Sequence, residues 1–589
     1  MSFFDDASLA FLPSGGAGKD GKAYSIKPTD GSGDFTFSRG SNLAATRVGP
    51  TGLIEKGREN LLLQSNNFST WNIKNVTSGH AGYDGTNDAW LQSGTGRLQL
   101  TISESTGVYT ASIYVKAGFS NYVQFRIGGS STVLVRFELI GNGTTIVDTG
   151  TFHTSIEPVS GATGWYRISI SFNSDATQFR IQPENDSSGT QTADSSVYIQ
   201  DAQLEIGLAA SEVIESGATT GKAGLLENEP RFDYSGGATC PSLLLEPSRT
   251  QLVSYSEYAN GFNIVGTGTA TDNAETSPEG LQNAFELNDT SSSAYYRIEE
   301  FISVSAGNHT MSVFVKKTTG TPTHYPAIQL DSARDYVILN TTTGAYNETG
   351  GTDNDSVEIE DWNSDWWRVI ITNTLTSGSK RIAIWPALSS NGTSSSPSPT
   401  GSNVFYGIQV EAGSYPTSYI PNHSGGSVTR GADAALSSAL NLSKGDFTLF
   451  VEFEFYGVKS GDEQRFYLSD GTSDNSAILG VRNGSEIQIS RESNNVLLFN
   501  STLSNQFSAG NNYKFLGKWS SGDNKTFLNG VLKTTDTTTT SDFAVDITHF
   551  NLTGNGAQSS MLDYGLNIKQ VLYFPEALSD EACIELTTI

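Results

Sequence analysis

The sequence predicts an all-β protein built from three sandwiches, the first two laid out to one plan. Three observations predict it. Short β-branched and aromatic runs recur between Gly, Asn, Asp and Ser punctuation, as strands joined by turns do. No segment keeps an apolar stripe at helical spacing over four turns. A closing strand occurs twice, as SVYIQDAQLEIG from Ser196 and as NVFYGIQVEAG from Asn403. Setting Glu205 on Glu411 brings Gln203 onto Gln409 and Gly207 onto Gly413.

Taken in order, residues 1–57 read as an extended N-terminal arm, rich in Gly, Ser and Thr, with strand-like pieces at Phe35–Ser38 and Ala44–Val48. Such an arm buries little by itself and must lie on something to be ordered. Another copy or a larger assembly is the expected surface.

Residues 58–215 and 249–425 form the duplicated modules. RENLLLQSNNF from Arg58 parallels RTQLVSYSEYANGF from Arg249, and YTASIYVKAG from Tyr109 parallels HTMSVFVKKT from His309. GWYRISISF from Gly164 parallels DWWRVIITN from Asp365. The offset grows from 191 residues (Arg58 to Arg249) to 206 (Glu205 to Glu411), as loop insertions between fixed strands produce. Ile113 and Val115 alternate with Ser112, Tyr114 and Lys116, the half-buried pattern of a sandwich or jelly roll with about eight strands in two sheets. The connector, 216–248, is rich in Pro and Gly and reads as a draped segment.

Residues 426–589 change character, with sharper alternation and shorter loops. Asn529-Gly530 supplies the two positive-φ positions of a tight hairpin. Ser579–Leu586 is the one good short helix, with Ser579 as cap and Asp580 and Glu581 in its first turn.

Bulk properties exclude several functions. A length of 589 residues exceeds what one core supports. A net charge of −27 argues against nucleic-acid binding, which needs a positive face. Two distant cysteines and six scattered histidines give neither a disulfide framework nor a zinc motif. The acidic start is unlike a signal peptide, and no run approaches the ~20 apolar residues of a membrane helix. The expectation is synthesis in a host cytoplasm without insertion into a membrane.

On LLLEPSRTQLVSYSEYANGF, the WWR strand, IQVEAGSYPTSYIPN and the following SVTRGAD, the chain resembles the repeated module of bacteriophage tail-fibre and related virion-surface proteins. LPSG and YSIKPTDGSGDFTFSRGSNLAATRVGPTGLIE resemble the N-terminal arm of such proteins. Those modules are similar to carbohydrate-binding jelly rolls. FTLFVEFEF, YKFLGKW, TFLNGVLK and IKQVLYFPEALSDEACIEL resemble the concanavalin A-like, laminin-G-like lectin sandwich. The resemblance implies two tandem jelly rolls and a distal lectin-like domain on a virion surface. It implies docking to other virion proteins through the arm, and non-catalytic attachment to host-surface glycans as a homo-oligomer. A trimer suits a fibre, although no coiled-coil heptads enforce one. A spacer or decoration protein without glycan binding, or a glycan depolymerase, are the rivals.

Sugar binding uses flat aromatic faces rimmed by polar groups. In the second module the candidates are Tyr295, Tyr296, Trp362, Trp366 and Trp385; Trp367 aligns with core-facing Tyr166. In the third sandwich they are Tyr467, Asp470, Arg482, Asn483, Arg491 and Trp519. Lectin-fold glycosidases carry Glu-x-Asp-x-x-Glu on one strand, and the matching stretch from Glu452 has Glu454 in the middle and Gly457 at the acid position. Glu452 and Glu454 therefore read as a solvent face, and no catalytic residue is assigned. The acidic run Asp353, Asp355, Glu358, Glu360 and Asp361 reads as a solvated loop. No cofactor is expected beyond calcium, for which Asp201 is the candidate ligand implied by carbohydrate-binding jelly rolls; its counterpart Gly407 departs from that pattern.

Overall fold

The computed structural model describes residues 3–15, 18–19, 21–40, 43–72, 75–393, 399–456, 463–554 and 565–589. Among the described residues it is almost all β, with two α-helices: the four-residue Phe3–Asp6 and the eight-residue Asp580–Thr587, whose Ser579 cap accepts from the Ala582 amide at 3.2 Å. Asn529 and Gly530 turn their hairpin at φ 51° and 77°.

The duplication holds at the level of register. In the first module Phe172 to Trp165 pair with Tyr109 to Lys116, and in the second Asn373 to Trp366 pair with His309 to Lys316. Both copies slip against the closing strand at the same place, between Ser112 and Tyr114 and between Ser312 and Phe314. The residue squeezed out of register is Asp201 in one and Gly407 in the other, at φ 49° and 63°. A bulge needs that left-handed backbone, which explains why Gly stands opposite Asp.

The layers differ from the expected eight strands in two sheets. In the first module Leu98–Ala117 and Trp165–Glu184 are continuous twenty-residue strands, and nine strands form one sheet folded around a single core. The second module breaks both strands, at Gly307 and Gly378, giving two six-stranded sheets.

The repeated Gln-x-Glu is a buried staple. Glu205 accepts from the amide and hydroxyl of Ser211, and Gln203 accepts from the Ile214 amide. Glu411 accepts likewise from Thr417, and Gln409 from the Ile420 amide. In each copy the Gln also donates to the Glu at 2.7 Å. Asn60 and Gln251 then bridge the entry and closing strands through their carboxamides. The chain leaving each module is thereby tied to the strand it has just left.

Much of the arm and the connector pairs within the chain. Leu9–Phe11 pairs with Leu566–Phe574, and Phe35–Ser38 pairs with Ala434–Ser437. From the connector, Arg231–Asp233 pairs with Ser242–Leu245, which pairs with Leu566–Phe574. Phe11, Phe35, Phe37, Leu243 and Leu245 lie in one core with Phe447, Phe453 and Phe515. The third sandwich is thus assembled from both ends and the middle of the chain, and the two modules are inserted between its pieces. The arm is therefore built into this sandwich and is not a free extended segment, and the sandwich is not a separate unit at the far end of a row. The apolar Leu9–Phe11 finds an open edge of its own chain, and burial there offsets the cost of ordering it.

Buried charge holds the junctions. Arg231 bridges Glu246 (2.5 Å) and Asp433, Arg430 bridges Glu246 (2.7 Å), and Arg39 reaches Asp433 (3.3 Å). Between the modules Arg58 meets Glu205 and Glu279, while Lys56 meets Glu279 and Glu257.

Candidate functional site: a cleft between the second module and the third sandwich

The outer face of one sheet of the second module carries a cross-strand row. Glu360 stands opposite Arg368, Arg368 opposite Phe314, and Phe314 opposite Tyr406. Period-two alternation puts Glu358, Glu360 and Trp362 on this face, while Val357 and Ile359 pack against the core. Arg368 is fixed from behind, donating to the Ser312 hydroxyl (3.2 Å) and to the Thr417 carbonyl (3.0 Å). Its guanidinium lies 5.5 Å from the Phe314 ring and 5.9 Å from Trp362.

The third sandwich closes the opposite wall with Glu454, Tyr456 and Asn567, and Tyr415 of the exit loop donates its side of the rim. The result is a cleft of about 780 Å³. Tyr456 accepts from the Asn567 amide, and Tyr415 from the Gly565 amide at 2.7 Å. The Trp362 indole N–H and Asn567 Oδ1 are buried without a hydrogen-bond partner. Burial raises the Glu360 carboxyl, with Glu358 and Asp233 adding to the effect against Arg368. Burial also raises Asp233, although Ser235 and Val48 donate to it.

The predicted residues separate. Trp362 lines this cleft, and Trp366 lies on the same face but is sealed in a cluster with Ile54, Tyr406 and Tyr419. Tyr295 and Trp385 meet on the outer face of the other sheet. There Arg297 lies 5.0 Å from the Tyr295 ring and 5.5 Å from Trp385, and Tyr336 abuts Trp385 edge-on at 4.8 Å. That Trp385 is wholly covered. Tyr296 points into the core, as does Trp367, whose indole donates to the Thr341 carbonyl.

In the third sandwich the candidates do not converge. Trp519 is fully buried, stacked on Phe447 at 4.7 Å and donating to the Ser490 carbonyl at 3.0 Å, so it is a core residue and no platform. Tyr467 is buried, and Arg491 is buried while donating to the Gly445 carbonyl. Asp470 organises its own turn by accepting from Thr472. Arg482 and Asn483 sit at a hairpin, where Asn483 donates to Glu486 at 2.9 Å. Glu452 is half-buried on the strand's outer side; Gly457 lies outside the described residues.

Asp201 accepts from the Tyr83 hydroxyl at 2.8 Å, and Tyr83 stacks flat on Tyr114 at 3.7 Å. Among the described residues no group of three or more His, Cys, Asp or Glu side chains is placed to hold a metal ion.

The sequence pointed to Trp362 but took Glu358 and Glu360 for a solvated loop. Their alternation with Val357 and Ile359 in SVEIEDW was the available signal of a strand. Tyr415, Tyr456 and Asn567 gave no signal, because they meet only when two distant sandwiches dock.

No protein-family model and no curated protein matches the chain. Solved structures give distant likenesses. The CBM40 of a Ruminococcus gnavus sialidase bound to α2,3-sialyllactose is 14% identical, covering 26% of this chain and 98% of that one, with a TM-score of 0.23. The CBM22 tandem of Paenibacillus barcinonensis Xyn10C is 11% identical, covering 60% and 98%, with a TM-score of 0.19. Trypanosoma rangeli sialidase in complex with sialic acid is 9% identical, covering 93% and 97%, with a TM-score of 0.21. Likenesses this remote carry no argument about ligand or reaction.

Proposed function

We propose that this is a non-catalytic, glycan-binding protein of a virion surface, and that the cleft between the second module and the third sandwich is its binding site. One observation carries the reading. The cleft sets an indole, two phenols and a fixed arginine around a space that admits a short oligosaccharide, with polar atoms still lacking partners. The virion setting rests on the sequence resemblance, and the nesting of both modules inside the third sandwich favours a compact appendage over a fibre shaft. Host-surface glycan is the ligand, and several copies on one particle make a shallow site sufficient.

Glycan-array binding by the full chain tests this. Trp362→Ala should abolish binding while the chain still unfolds cooperatively at a modestly lower melting temperature, since Trp362 is half-buried against Phe314. Binding unaffected by Trp362→Ala would remove the cleft from the proposal. Release of reducing ends from a bound glycan would overturn the non-catalytic reading.

A further inference from the structure

The cleft is unevenly charged. Asp233, Glu358, Glu360 and Glu454 line it, against Arg368 and an Arg47 already paired with Glu55 at 2.9 Å. Arg368 lies 4.0 Å from Glu360. Among the described residues Glu358 and Glu454 pair with no cation. Glu246, also at the cleft, is matched by Arg231 and Arg430 and adds no free charge. A second observation points the same way. Asn567 is 4% exposed, its amide is used on Tyr456, and its Oδ1 accepts nothing. The unpartnered groups are of both kinds, since the Trp362 indole N–H and Arg368 Nε donate to nothing while Asn567 Oδ1 accepts nothing, but the charge is one-sided. A ligand that completes this site brings positive charge for the carboxylates and carries both a donor and an acceptor.

Resting on the glycan-binding reading above, we propose that the cleft recognises a glycan through a protonated amino group, as on a hexosamine lacking its N-acetyl, and disfavours sialylated and uronate-bearing glycans. The ammonium sits against Glu358 and Glu360, an arrangement in which its three donors meet carboxylate acceptors, and Trp362 takes the apolar face of the ring. Anionic sugars meet like charge in a partly dehydrated space, which is a repulsive element as selective as any contact.

Triglucosamine and its tri-N-acetylated form share one ring skeleton and differ in charge, so they isolate the effect. Calorimetric titration of the full chain at about pH 6 and low salt should show triglucosamine binding about tenfold tighter. That ratio should shrink with added salt. Glu358→Gln and Glu360→Gln should each lower the ratio, and together bring it near one. The salt series on the unaltered protein serves if a variant misfolds. Equal affinity for the two trimers, preference for the N-acetylated one, or tighter binding of 3′-sialyllactose overturns the inference. If the N-acetylated trimer binds in a Trp362-dependent way at a ratio of one, the inference falls and the glycan-binding reading stands. If neither these trimers nor any glycan on the array binds, both fall.

Discussion

Asp201 and Gly407 occupy one backbone position in two copies of a module, and chemistry has settled it differently in each. Glycine takes φ 63° freely, whereas at Gly407 a Cβ would come within 3.2 Å of both Phe314 and Tyr419. Asp201 takes φ 49° and accepts with its carboxylate from the Tyr83 hydroxyl. Burial raises that carboxyl to about 6, with Glu215, Asp88 and Asp84 contributing and the Tyr83 bond opposing. A carboxyl raised in the folded state costs nothing below its ordinary value near 4; the cost grows as the pH rises from there and is complete above the folded value. Asp201→Asn keeps an acceptor for Tyr83 and suits a left-handed backbone. It should stabilise the first module by about 1–2 kcal/mol at pH 8, with the gain vanishing near pH 3.5, read from melting temperatures at both values. A gain that persists at pH 3.5 would assign the effect to backbone conformation. The position was legible in the sequence as a mismatch between copies. Its cause was not, because a one-residue slip in pairing leaves no mark on alternation.

At the scale of the element, the closing strand explains itself through its hydrogen bonds. Gln-x-Glu looked like a landmark of alignment, and it is the buried device that folds the exit loop back onto the strand. Glu411→Ala would strand the Thr417 amide and hydroxyl and one Gln409 donor in a dry site, at about 1–3 kcal/mol for each group left unpaired. The expected result is a loss of about 3 kcal/mol in denaturant unfolding, with amides of the segment near Thr417 and Ile420 losing exchange protection first. Glu205→Ala should do the same to the first module at Ser211 and Ile214. Unchanged protection would show that apolar packing alone holds the loop. Strand existence and pairing partners were readable from alternation and repetition. The merging of strands in one copy and their breakage at Gly307 and Gly378 in the other were not, because both arrangements satisfy the same alternation.

For the whole molecule, nesting is the main result. The third sandwich cannot be cut out at residue 430, because Leu9–Phe11, Phe35–Ser38 and Ser242–Leu245 complete its sheets and core. A fragment of residues 430–589 should be aggregated or molten, with Leu566–Phe574 exposing an unpaired edge. Deleting residues 3–38 from the full chain should likewise lose cooperative unfolding of this domain, as calorimetry would report. A monomeric, sharply melting fragment would contradict the assembly described. The buried junction adds a pH signature. Burial alone would raise Glu246, yet Arg430 and Arg231 outweigh it and hold it at about 2. A depressed carboxyl stabilises fully above its ordinary value near 4.5, and that contribution fades as the pH falls from there toward 2. Glu246→Ala should cost about 3–5 kcal/mol at neutral pH by leaving buried arginines unmatched, and should flatten acid unfolding across that window.

The sequence by itself determined the β class, the two modules, their register landmarks and the residues of their cores, because alternation and local turn chemistry are written along the chain. Tertiary structure alone decided that Leu9–Phe11, Phe35–Ser38 and the connector strands Arg231–Asp233 and Ser242–Leu245 belong to the last sandwich, that Trp519 is core, and that Trp362 faces Tyr456 and Asn567 across a cleft. Pairing between strands hundreds of residues apart depends on which open edge and which apolar face remain unfilled, and no local pattern carries that information.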